Sequence, residues 1–123
     1  MKVQNSPPAG TYRDRILVKQ GQRMFPITTS DVAYFFTSER LAYACTRENR
    51  HYLVDYTLDE LEKSLEPRSF FRANRQFIVE YNSVNRLNHY FNGKLKVALT
   101  PTPKEEVVIS RDKAAEFKNW LGE

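Results

Sequence analysis

Two guanidiniums and two side-chain amides are concentrated in the segment F-F-R-A-N-R-Q-F-I-V-E at residues 70–80: Arg72, Asn74, Arg75 and Gln76. Paired aromatics precede this polar middle, and the apolar run Phe77, Ile78, Val79 follows it. Apolar ends anchor such a segment in a core, and the middle then turns toward solvent. Guanidinium and amide groups match phosphate oxygens and base edges through paired hydrogen bonds. The chemistry on offer is recognition.

Catalytic chemistry has no comparable concentration. His51, His89 and Cys45 fall in strand-like runs without metal-ligand spacing. There is no G-x-S-x-G, no H-E-x-x-H and no phosphate-cradling glycine loop, and the chain has only four glycines. The aromatic strand that single-stranded RNA modules use for stacking, opening on a basic residue and glycine, is missing as well. A non-enzymatic protein without metal or cofactor is expected.

Net charge is +4, but its distribution is uneven. Between residues 67 and 100 the cations Arg68, Arg72, Arg75, Arg86, Lys94 and Lys96 face the single acid Glu80. Between residues 55 and 66 the balance reverses, with Asp55, Asp59, Glu60, Glu62 and Glu66 against Lys63. A basic region suggests an anionic partner such as nucleic acid, although scattered cations on a β surface serve solubility equally well. The acidic stretch reads as the solvated face of a helix with acids near its start. Cys45 is the only cysteine and cannot form an internal disulfide, which fits a reducing cytoplasm. No apolar run is long enough to cross a membrane, and the first ten residues lack the apolar core of a signal peptide.

The elements that must hold the cationic turn are short. Residues 1–11 contain Pro7, Pro8 and Gly10 and no apolar period, so a disordered tail or linker is expected there, with one domain over 12–123. Strand patterns cover 15–19, 23–27, 32–36, 41–46, 51–55, 77–79, 84–91, 94–100 and 106–109. Pro26 lacks a backbone donor and marks its strand as an edge. Asn49 and Asn92-Gly93 supply hairpin turns. Thr57 and Glu60 form a capping box for a helix carrying Leu58, Leu61 and Leu65 on one face, ended by Pro67. Ser110 caps a terminal helix with Ala114, Phe117 and Leu121 on one face. The class is mainly β: small antiparallel sheets, one short internal helix and one C-terminal helix.

Four motifs in order resemble the LytTR DNA-binding domain. They are D-V-A-Y-F-F at 31–36, Y-T-L-D-E-L-E at 56–62, F-F-R-A-N-R-Q-F-I-V at 70–79 and V-I-S-R at 108–111. The likeness runs from about residue 12 to 121, and Asn74-Arg75-Gln76 is similar to response regulators of Bacteroidetes-type bacteria. It implies an elongated sandwich of small antiparallel sheets whose loops enter successive major grooves of double-stranded DNA. Three loops would face the DNA. In residues 37–40, Ser38 is a phosphate candidate and Glu39 and Arg40 are base-contact candidates. In residues 72–76, Arg75 is the base reader, while Arg72, Asn74 and Gln76 are positioning candidates, Asn74 and Gln76 replacing the common His and Ser. At 110–111, Arg111 is a base reader, with Ser110 and Lys113 near phosphates. Arg72 has a structural alternative, pairing with an acid such as Glu80, and Glu39 could be a plain solvated loop residue.

The resemblance further implies an output domain of a two-component response regulator that controls transcription. A receiver domain is expected upstream in the full-length protein, this chain being a fragment of it, with a sensor histidine kinase acting on that receiver. Two protomers are expected on direct repeats, and a monomer in isolation. The competing reading is a protein-interaction module without DNA binding, using the Pro26 edge and the aromatics Tyr34, Phe35, Tyr90 and Phe91.

Overall fold

The computed structural model describes residues 11–123, so the expected N-terminal tail, apart from Thr11, lies outside the described residues. The described chain forms β1 (Arg15–Gln20), β2 (Arg23–Thr28), β3 (Val32–Ser38), β4 (Leu41–Thr46), β5 (His51–Val54), α1 (Leu58–Ser64), β6 (Phe70–Arg72), β7 (Phe77–Glu80), β8 (Val84–His89), β9 (Leu95–Leu99), β10 (Val107–Ile109) and α2 (Arg111–Leu121). The mainly β class with a short internal helix and a C-terminal helix is as the sequence indicates. The strand not anticipated is β6. Its three residues pair with β7, Phe70 opposite Glu80 and Arg72 opposite Ile78, so the cationic turn is the tip of a hairpin.

All strand pairs are antiparallel, in one seven-stranded sheet of order β2-β1-β5-β4-β3-β7-β6 and one three-stranded sheet of order β10-β9-β8. Pro26 stands on β2, the outermost strand, where its missing N–H breaks no ladder.

Both faces of the large sheet are covered around β3, which explains the unbroken apolar run of that strand. One face packs Val32, Phe35, Ala44, Val54 and Ile78 against Leu58, Leu61 and Leu65 of α1 and its C-terminal cap. The other packs Ala33, Tyr34, Cys45, Phe77 and Val79 against Leu95, Val97 and Ile109 of the small sheet and Phe117 of α2. A register shift between Val32 and Tyr34 puts Ala33 and Tyr34 on the same side. Tyr34 and Phe35 are therefore 1% and 0% exposed and cannot belong to the interaction surface considered for them. Burial pushes the Tyr34 hydroxyl and the Cys45 thiol up from their ordinary values.

The capping box on α1 is formed. The Glu60 amide donates to the Thr57 hydroxyl at 3.0 Å, and the Thr57 amide donates to the Glu60 carboxylate at 3.0 Å. Ser110 occupies the N-cap of α2, but its hydroxyl makes no capping bond. The Lys113 amide, which such a cap would satisfy, donates instead to the Ser110 carbonyl at 3.1 Å.

Candidate nucleic-acid interface

The β3–β4 connection is tighter than the expected loop. Thr37 and Ser38 continue β3, opposite Ala42 and Leu41, so only Glu39 and Arg40 lie outside the strands. Both have positive φ, 51° and 71°, the signature of a type I′ turn. Neither is glycine or asparagine, the residues that turn favours, so both backbones are strained. Their side chains are exposed and make no hydrogen bond or ion pair among the described residues.

The second turn, at 73–76, is fixed from three directions. Asn74 Oδ1 accepts from the backbone amides of Gln76 at 2.8 Å and Phe77 at 3.0 Å, an Asx-type turn. Asn74 Nδ2 donates to the Val108 carbonyl at 3.0 Å, tying the turn to β10. Arg72 holds it from behind: Nε donates to the Asn74 carbonyl at 2.7 Å and Nη2 to the Arg75 carbonyl at 3.2 Å. Arg72 Nη1 then reaches Asp59 at 2.8 Å and Glu62 at 2.9 Å on α1. With its side chain 15% exposed, Arg72 is committed to these partners. The acid anticipated for it, Glu80, is buried and instead meets Arg47 at 2.9 Å. The Arg72 hydrogen bond, and then its charge, hold the Asp59 carboxyl below the usual carboxylate range.

With the backbone so clamped, the Arg75 and Gln76 side chains are left exposed and without hydrogen bond or ion pair among the described residues. The Gln76 carbonyl accepts from the Thr37 amide at 3.0 Å, which extends the β3–β7 ladder to the foot of the Glu39–Arg40 turn. The first and second turns are thereby neighbours.

The third segment joins through Lys113, whose Nζ donates to the Arg72 carbonyl at 2.9 Å and lies 5.5 Å above the Phe71 ring. An open cavity of about 460 Å³ separates the second and third segments, lined by Arg72, Asn74, Arg75, Lys94, Ser110 and Lys113 among others. Ser110 and Arg111 are exposed at the start of α2. The Arg111 stem crosses Gly93, where an added Cβ would lie 2.8 Å from Arg111 Cγ. Arg75 thus lines this cavity, Arg111 opens α2 beside Ser110 on its far side, and the turn carrying Arg40 adjoins the second turn through the Thr37–Gln76 bond.

Two parts of this arrangement escape the sequence reading. The acids of α1 read as a solvated face, yet Asp59 and Glu62 anchor Arg72; the available signal was their i, i+3 spacing, which puts both on one side of the helix. Lys94 reads as a basic residue on the wet side of its hairpin arm, yet the Asn92-Gly93 turn brings it to the cavity.

A family model described as the LytTr DNA-binding domain matches residues 22–122. The transcriptional regulatory protein YpdB of Escherichia coli is 28% identical over 120 residues, covering 95% of this chain and 48% of that protein. The sensory transduction protein LytT of Enterococcus faecalis is 26% identical over 119 residues, covering 97% of this chain and 48% of that protein. The chain spans about half the length of the curated relatives it matches. Among solved structures, a LytTr DNA-binding domain from Bacillus cereus superposes with a TM-score of 0.77 at 24% identity, over 90% of this chain and 99% of the other. At that identity the likeness bears on the fold.

Proposed function

The chain belongs to the LytTr DNA-binding domain family, and from that premise we propose that it reads double-stranded DNA sequence-specifically as the output domain of a two-component response regulator. The observation that carries this reading is that three exposed arginines stand on adjoining segments, Arg40 on the β3–β4 turn, Arg75 on the clamped second turn and Arg111 at the start of α2. An arginine presented this way pairs bidentately with guanine O6 and N7, worth about 1–3 kcal/mol of discrimination per base. Arg75 and Arg111 are the base readers, with Arg40 and Glu39 at the first turn. Ser38, Gln76, Ser110 and Lys113 serve phosphates, fixing register without reading sequence. Arg72 and Asn74 act one step back, as positioning residues that hold the turn from which Arg75 projects.

In the full-length regulator this reading gives the domain a receiver partner, a sensor kinase acting on that receiver, and two protomers on direct repeats in the cytoplasm. The doubled length of the relatives, one of them named a sensory transduction protein, supports a second domain. Association through that domain supplies avidity that the isolated chain lacks.

Selection from a random DNA pool, followed by gel shift, tests the proposal. The wild-type chain is expected to enrich a motif, with affinity falling steeply as salt rises because phosphate contacts release counterions. Arg75→Ala should lose preference for that motif with its melting temperature unchanged, since the guanidinium makes no hydrogen bond or ion pair among the described residues. Enrichment of no motif, or wild-type discrimination by Arg75→Ala, sinks the assignment.

A further inference from the structure

The hairpin tip between β8 and β9 lies outside the three expected segments but stands against them. Asn92 and Gly93 turn the chain at φ 58° and 75°, and the Tyr90 amide closes the tip on the Lys94 carbonyl at 2.9 Å. A Cβ at Gly93 would lie 2.8 and 2.9 Å from Arg111 Cγ and Cδ, so the bare glycine is what lets the Arg111 stem cross the tip. Lys94 lines the same open cavity as Arg75, Ser110 and Lys113.

One flank of the tip is satisfied within the fold. The Tyr90 hydroxyl donates to Glu106 at 3.4 Å, and Lys96, ion-paired to Glu106 at 3.0 Å, lies 4.7 Å above the Tyr90 ring. The other flank stays open to solvent. Phe91 is 56% exposed, a large ring kept in water although the Tyr90 ring packs on it at a centroid distance of 4.6 Å, and Lys94 Nζ sits 4.6 Å above it. An apolar ring under a cation, beside Arg75, Arg111 and Lys113, fits a surface that presents anionic and apolar groups side by side. Duplex DNA does so: phosphates alternate with deoxyribose, and thymine methyls line the major groove. An acidic protein surface offers the charge without that regular apolar neighbour.

We propose that the tip at 91–94 is a fourth DNA-contacting element. Lys94 takes a backbone phosphate beside the bases read by Arg111, and Phe91 packs on the apolar DNA surface next to that phosphate. The proposal rests on the DNA-reading function above and adds residues to it.

The whole chain is titrated with the enriched duplex and with a scrambled one, over about a fourfold range of salt. Lys94→Ala should flatten the slope of log affinity against log salt by about 0.9 and weaken both duplexes alike. Phe91→Ala should weaken the enriched duplex about threefold to tenfold with its slope kept, the loss expected for one apolar contact. Replacing thymine by uracil in the duplex separates the two apolar sources: the Phe91→Ala effect disappears if the ring meets a methyl and persists if it meets deoxyribose, and either result supports the contact. Met24→Ala is the control, another exposed apolar residue, 61% exposed on the outermost strand of the other sheet, and should bind as wild type. Wild-type affinity and slope in both Lys94→Ala and Phe91→Ala, with wild type still selecting its duplex, overturn the proposal alone. A wild-type chain that selects no duplex overturns the DNA-reading function and this proposal together.

Discussion

Glu39 and Arg40 turn the chain between β3 and β4 at positive φ, where Asn-Gly would do so without strain. Backbone strain held by non-glycine residues concentrates where side chains have work outside the fold. Neither side chain makes a hydrogen bond or ion pair among the described residues that would offset the strain, and the DNA contact proposed above gives it a use. The double variant Glu39→Asn, Arg40→Gly should therefore raise stability by about 1–2 kcal/mol while weakening DNA binding. Paired thermal melts and gel shifts read both effects, and an unchanged or lowered melting temperature would refute the strain. Asn74 shows the opposite economy: every polar atom of its side chain serves the fold, accepting from Gln76 and Phe77 and donating to Val108.

At the scale of elements, α1 does two jobs with its two sides. Leu58, Leu61 and Leu65 close one core, while Asp59 and Glu62 hold Arg72 and through it the second turn. The first job was legible because capping and apolar spacing are local in sequence. The second was not, because the partner lies beyond Pro67 and is reached only once β6 pairs with β7. Acid pH tests the link. Asp59 has its carboxyl lowered in the fold, so its contribution is present above the ordinary carboxylate range of about 3.9 and is lost as pH falls through the lowered value. Carboxyl titration by NMR should give Asp59 a midpoint below that range, and Arg72→Gln should bring it back up. Equal midpoints in the two proteins would show that the pair does not persist in solution.

At the scale of the whole molecule, the two cores share one sheet, and β3 is apolar on both sides because each side is covered. Hairpins, edges and the Thr57 cap could be read from adjacent residues, though not the idle Ser110 hydroxyl: Asn49 and Asn92 do sit at positive φ, and Pro26 does lie at an edge. The sheet order could not, because β1–β5 and β3–β7 join segments far apart in sequence and no residue pattern marks which edge a strand will take. The convergence of the candidate segments was equally hidden, resting on the Thr37–Gln76, Asn74–Val108 and Lys113–Arg72 bonds. The buried Cys45 at the heart of the second core has a practical consequence. It is the only thiol in the chain and is 0% exposed, so a thiol-reactive dye reaches it only when that core opens. The native sequence therefore carries its own opening clock. Labelling should be slow in the free domain and slower still with bound duplex, by the factor that binding adds to the folded population; labelling as fast as that of an unfolded peptide would mean that the second core does not hold.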